Sequence, residues 1–156
     1  MSAFTELVGK NIIAMFINQD STTLIFQDVY GVKHVYATVA ECCNDVWITH
    51  ISGTKCFNQS SALDILAGTS VLDIRESTWK VIEADVDNSE HIEDCFWSIT
   101  TDRGYVDLEV RNTHNGFYGG KIEYVGSFSN SINTLHEALS CHNVDAENIT
   151  KIQMDF

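Results

Sequence analysis

The residues of this chain that could do chemistry gather between Thr101 and Lys121, in the stretch TDRGYVDLEVRNTHNGFYGGK. It holds Arg103, Arg111 and Lys121, three of the nine basic residues, beside Tyr105, Phe117 and Tyr118. Gly104, Gly116, Gly119 and Gly120 are four of the nine glycines. Glycine lets backbone amides come close to a phosphate, and an arginine fork holds a phosphate through two parallel hydrogen bonds. Aromatic rings stack on a nucleobase, each worth about 1–3 kcal/mol. The combination suits a small nucleotide. The same residues also describe a twisted hairpin with aromatics in a core and glycines in turns, and composition alone favours that plainer reading.

Other chemistries find less support. No phosphate-binding P-loop, no GxGxxG after a strand and no GxSxG nucleophile elbow occurs. Carboxylates abound, but sequence does not say which pair faces across a cleft, so no general acid or base can be named. His34, Cys42, Cys43, His50 and Cys56 are a possible metal set. Adjacent cysteines in an extended chain point to opposite faces, so one ion rarely takes both. Buried apolar thiols are the expected reading, with no metal, no cofactor and no catalytic residue.

The elements that must position these residues read as strands. Asn11–Asn18, Thr22–Phe26 and Val32–Tyr36 are short strand-like runs separated by Gln19-Asp20 and Tyr30-Gly31, an antiparallel meander with one face free to pack. Val46–Ile51 alternates and ends at Ser52-Gly53. Ser60–Leu66 has a helix cap and helical spacing; Ser70–Ile74 and Trp79–Ala84 follow as strands. Between Glu83 and Asp94 lie six acids without a Lys or Arg, read as a solvated loop. Phe96–Thr100 and Tyr105–Val110 form the clearest hairpin, with Gly104 able to take positive φ. Thr113–Gly116 is a second turn, leading to a strand over Phe117–Val125. Ile132, Leu135, Ala138 and Leu139 then share a helical face within Ser129–His142, capped by Asn130 or Ser131 and ended by Asn143. Ile149–Met154 reads as a last, edge strand. The expected fold is one α+β domain over 1–156, mainly antiparallel β-sheet with a C-terminal helix.

Composition narrows the partners. Nine basic against 22 acidic residues give a net charge of −13, which disfavours the phosphate backbone of nucleic acids and an anionic membrane surface. The five cysteines are odd in number, the N-terminus lacks a basic and apolar leader, and no apolar run approaches the ~20 residues of a membrane span. A cytoplasmic protein with reduced thiols is expected. The charge also suits an acidic DNA mimic, or an inhibitor docking on a basic host protein.

Three blocks resemble a known family: ELVGKNII at Glu6–Ile13, AECCNDVWITHISG at Ala40–Gly53, and FWSITTDRGYVDLEV with HNGFYGG between Phe96 and Gly120. They are similar to the small phage-encoded Thoeris anti-defence sponges, which sequester the cyclic ADP-ribose signals made by bacterial Toll/interleukin-receptor domains. The resemblance covers roughly residues 6–126, leaving the helix and strand of 129–156 outside it. It implies an antiparallel β domain assembled as a dimer or as a hexamer of dimers, with a small cyclic nucleotide held intact between protomers in the host cytoplasm, not an enzyme. The family's aromatic and asparagine, ten residues apart, fall on Tyr105 and Asn115. A ring at Tyr105 would stack on a base, and the Asn115 amide would meet a ribose or base edge. Arg103 and Arg111 are candidates from local charge. The acidic segment near 85–94 and the helix at 131–142 depart from the family pattern.

Overall fold

The computed structural model describes residues 3–41, 44–55, 69–85, 90–102, 104–114 and 119–152. A 3₁₀ turn at Thr5–Leu7 leads into β1 (Asn11–Ile17), β2 (Thr23–Asp28) and β3 (Lys33–Val39), the meander expected from the alternating runs. There follow β4 (Asp45–Lys55), β5 (Thr69–Glu76), β6 (Lys80–Asp85), β7 (Glu90–Thr101), β8 (Gly104–His114) and β9 (Lys121–Phe128). The helix α1 (Ile132–Ser140) and a two-residue strand β10 (Thr150–Lys151) close the chain. The fold is α+β and mostly antiparallel sheet, with one helix near the C-terminus among the described residues.

The strands run in the order β4-β8-β7-β5-β1-β2-β3-β9, with β6 beside β7 and β10 beside β1. The sheet is nearly two sheets, because β5 and β1 pair only at Asn11–Ser70 and Ile12–Thr69. The two halves turn their inner faces toward each other. Phe26, Tyr36 and Met15 from one half meet Trp97, Ile99 and Leu108 from the other, and Phe4 fits between them. Phe4 lies 4.5 Å from Tyr36 and 5.7 Å from Trp97, ring centre to ring centre, the second edge-to-face.

The helix covers the outer face of the meander. Leu135 and Leu139 bury against Ile25 and Val35 in a second, smaller core. The meander therefore has both faces covered, not one, which is why Leu24, Ile25 and Phe26 are consecutively buried. Ser131 sits at the helix N-cap but makes no capping bond, its hydroxyl instead meeting Thr134 at 3.0 Å. Asn143 ends the helix region in the left-handed conformation, φ +57°.

Three further expectations change. Strand β4 continues through Ser52-Gly53 to Lys55, because β8 pairs with it along its whole length. His114 is still in β8, and β9 begins only at Lys121, with 115–118 outside the described residues. The acidic run is largely a β6–β7 hairpin, with Lys80 opposite Asp94 and Asp85 opposite Glu90. Residues 86–89 and the helix expected at Ser60–Leu66 lie outside the described residues, as does Met154.

The hairpin of β7 and β8 holds register from His91–His114 to Thr100–Tyr105. Its turn is tied by Thr101, whose Oγ1 accepts from the Gly104 N–H at 3.1 Å and donates to the Gly104 carbonyl at 3.0 Å. Gly104 takes φ +158°, a region that favours glycine. Gly120 has a different reason. A Cβ there would stand 2.9 Å from side-chain atoms of Asn112 and Val46, so the chain can pass only without one.

Candidate functional site

The half made of β4, β8, β7 and β5 has an outer face that no other described element covers. Strand period places every second residue there. Val106, Leu108, Val110 and Asn112 point into the core of the molecule, while Tyr105, Asp107, Glu109 and Arg111 face out. Cross-strand partners share a face, so each outward residue of β8 heads a rank. Tyr105 stands beside Thr100, and Thr100 beside Asp73. Asp107 stands between Ser52 and Ser98, with Arg75 next along. Glu109 stands between His50 and Phe96, and Arg111 between Trp47 and Asp94. A bulge at Thr49 keeps β4 in step, returning His50 to the outer face after the inward Ile48.

The two middle ranks line a cavity of about 520 Å³ that opens outward. Its walls include His50, Ser52, Arg75, Phe96, Asp107 and Glu109. Phe96 is 41% exposed and Tyr105 42%, so neither is a core aromatic, and both rings are open to a partner. Carboxylates and hydroxyls around an aromatic face suit the base and sugar rings of a ligand, while Arg75 is the one guanidinium in the wall that could meet a phosphate. Sugar hydroxyls donate to carboxylates, whereas phosphates are repelled by them.

Arg111 is committed within the protein. Its Nε donates to Asp94 Oδ1 at 2.8 Å and its Nη2 to Asp94 Oδ2 at 2.9 Å, with Glu109 Oε1 3.4 Å from the same nitrogen. Those Arg111 hydrogen bonds hold the Asp94 carboxyl below the ordinary range although its burial opposes ionisation. Glu109 moves the other way. Its hydrogen bond to Asp94, then burial, then the Asp94 charge push its carboxyl up, with Arg111 pulling against them. The result is two neighbouring carboxyls of opposite tendency around one guanidinium, titrating as a pair. Asp94 is thus a buried partner of an arginine, not part of a solvated loop.

The sequence candidates therefore separate. Tyr105 lies on the outer face one rank beyond the cavity at one end, and Arg111 one rank beyond it at the other, with its fork already filled. Arg103 and Asn115 lie outside the described residues, with Gly116, Phe117 and Tyr118. Lys121 is on β9 in the other half, where its Nζ meets Glu123 Oε1 at 2.7 Å. His50, Phe96, Asp107 and Glu109 line the cavity; sequence reasoning raised His50 only as a metal candidate and did not single out the other three. The alternation of β8 shows the last two facing out, but adding the first two requires the register of β4 and β7.

Of the possible metal set, Cys42, Cys43 and Cys56 lie outside the described residues. His34 is buried against Asp28 and Ser127, while His50 is exposed on the outer face. Among the described residues no three His, Cys, Asp or Glu side chains gather as a metal site. Among them, too, no helix is long and apolar enough to cross a membrane.

No curated protein and no solved structure matches the chain. A family match spans residues 5–124, from the opening 3₁₀ turn into β9, and so takes in every strand that lines the cavity while leaving out α1 and β10. By that match, over more than half its length, the chain belongs to the family described as a domain of unknown function (DUF7448).

Proposed function

We propose that this protein binds a small cyclic nucleotide of the cyclic ADP-ribose type and holds it without cleaving it, as a phage sponge for a host immune signal. The observation that carries the reading is the cavity of about 520 Å³ on an uncovered sheet face, with Phe96 in its wall and Tyr105 at its rim. A nucleoside fits this arrangement from its ring end. The base lies against Phe96 or Tyr105, and ribose hydroxyls reach Asp107 and the hydroxyls of Ser52 and Ser98. Arg75, 83% exposed at its side chain, is the nearest fork for a phosphate, since Arg111 is bound to Asp94. Its Nε touches Asp73 at 3.4 Å, a surface contact that a phosphate can displace.

Sequestration works by mass action, so it needs tight binding and abundance but no catalytic group. The exposed Leu72, Phe96 and Tyr105 favour a second copy of the chain closing over the same half as a dimer or hexamer, with ligand between protomers. The setting would be the host cytoplasm.

Titration calorimetry against cyclic ADP-ribose isomers and cyclic mononucleotides tests the reading, followed by heat release and mass analysis of the bound compound. An unchanged ligand is expected. A Tyr105→Ala variant should lose at least tenfold in affinity while its unfolding free energy stays within about 0.5 kcal/mol of the parent, because the ring is exposed. No binding at micromolar protein, or recovery of a degraded nucleotide, defeats the proposal. A second reading, an acidic inhibitor docking on a basic host enzyme, is favoured by the net charge of −13. It predicts capture of such an enzyme that is lost in high salt.

A further inference from the structure

The meander half carries a second constellation, away from the outer-face cavity. His34 on β3 stands directly opposite Ser127 on β9. Its Nδ1 lies 2.9 Å from Ser127 Oγ, and its Nε2 lies 2.9 Å from Asp28 Oδ2 at the end of β2. The protons in this chain can be assigned from its two ends. Asp28 Oδ1 accepts the backbone N–H groups of Tyr30 and Val32, at 2.9 and 3.0 Å. Burial works against its ionisation, but the His34 hydrogen bond and those two amides outweigh it, and the carboxyl lies below the ordinary range. An ionised carboxylate can only accept, so the imidazole proton is on Nε2. In the neutral ring Nδ1 then holds the lone pair, and the Ser127 hydroxyl donates to it. The Tyr124 hydroxyl, 2.5 Å from Ser127 Oγ, must in turn be the donor to that oxygen.

A break in the strand makes this possible. In a regular strand residues three apart point to opposite faces. Tyr124 and Ser127 meet because β9 has an extra residue: Tyr124 is opposite Tyr36, Gly126 is opposite Val35, and Val125 has no partner in the ladder. Gly126 takes φ +158° there. Bulges of this kind re-aim side chains and recur beside active sites. The imidazole and carboxylate are buried, whereas Ser127 is exposed. A buried base with a fixed orienting carboxylate and an accessible hydroxyl is the arrangement that activates a serine nucleophile.

We propose that Ser127 is a nucleophilic serine, with His34 as its base and Asp28 as the positioning residue, that accepts the acyl group of an activated ester. Tyr124 also lines a cavity of about 580 Å³ whose wall mixes Trp79, Trp97 and Ile122 with Glu76, Lys121 and Glu123, room beside the serine for the acyl group. In the first step Ser127 Oγ bonds to the ester carbonyl carbon and its proton passes to His34 Nδ1. The bond from that carbon to the alcohol oxygen breaks, and the alcohol leaves with the proton from Nδ1. Water then attacks the acyl-serine carbon, giving a proton to Nδ1. The Oγ–carbon bond breaks, Oγ recovers that proton, and the carboxylic acid departs. Asp28 faces the imidazolium in both steps. This site shares no residue with the sponge cavity, so either proposal can fail alone.

Incubation of the folded protein with a fluorophosphonate, followed by intact-mass and peptide analysis, tests it. Oγ displaces fluoride at phosphorus, and its proton leaves through His34. One adduct at Ser127 is expected, absent in Ser127→Ala and formed at least ~100-fold more slowly in Asp28→Asn. An acetyl ester of p-nitrophenol should give a burst of about one nitrophenolate per chain. The readout on the unaltered protein decides even if a variant fails to fold. No adduct at Ser127, or labelling as fast in the urea-unfolded chain, overturns the proposal.

Discussion

Replacing Arg111 by methionine separates a structural arginine from a ligand-binding one. The guanidinium gives Asp94 two short charge-assisted hydrogen bonds, and the Asp94 side chain is 3% exposed. Bonds to charged groups each contribute about 1.5–3 kcal/mol. The arginine side chain is itself 31% exposed, so water screens part of this. The loss also has a ceiling. An orphaned Asp94 can take a proton, and keeping an ordinary carboxyl neutral at pH 7 costs about 4 kcal/mol, from roughly three pH units at 1.36 kcal/mol each. We therefore expect Arg111→Met to lose about 2–4 kcal/mol at pH 7, a fall in Tm of roughly 5–15 °C for a chain of this size.

The pH dependence gives the sharper test. Asp94 has a depressed native pKa, so its contribution is present at neutral pH and is lost as pH falls through the native value. In the variant that contribution is gone, and protonating the orphan becomes cheap near pH 4. Urea unfolding at pH 7 and pH 4 should show the gap between the two proteins shrinking at the lower pH. Adding Asp94→Asn to the variant should recover most of the loss at pH 7. A variant within about 0.5 kcal/mol of the parent at both pH values would refute the reasoning and free Arg111 for a ligand.

Gly120→Ala should cost about 1–3 kcal/mol in urea unfolding, because its Cβ would fall 2.9 Å from buried Asn112 and Val46; an unchanged midpoint would mean that loop shifts freely. Asp28 has a depressed native pKa too, so its stabilisation is present above the ordinary carboxylate value and lost on acidification. Asp28→Asn should flatten the acid limb of the stability curve below about pH 4, read by thermal melts across pH. Burial pushes the Cys95 thiol up to about 11, while Cys141 is exposed. Iodoacetamide at pH 8 should modify Cys141 and spare Cys95 in the folded chain, with peptide mass analysis as the readout, and reach Cys95 only after unfolding.

Much of the strand plan was legible along the chain. Asn11–Asn18, Thr22–Phe26 and Val32–Tyr36 announced β1 to β3, and Leu135 with Leu139 announced the buried stripe of the helix, because both periods are properties of consecutive residues. The outward set of β8, Tyr105 to Arg111, was equally present in the alternation. What Arg111 does was not legible. As a sequence feature it was a cation in a glycine-rich stretch, and only the β7 register brings Asp94 to it from an acidic run that reads as solvated.

The cavity and the hydroxyl relay depend on tertiary structure in the same way. Phe96 joins Glu109 and His50 through pairings among three strands, and a shift of one residue would have sent those side chains into the core. Tyr124 and Ser127, three apart, belong on opposite faces until one unpartnered residue in β9 brings their hydroxyls together. Periodicity is local and survives in one dimension, so the sequence alone determined most of the strands and the helix, with their faces, but not where β4, β7 and β8 end. Register, bulges and the choice of which face α1 covers arise between distant segments, and they alone decided which side chains meet.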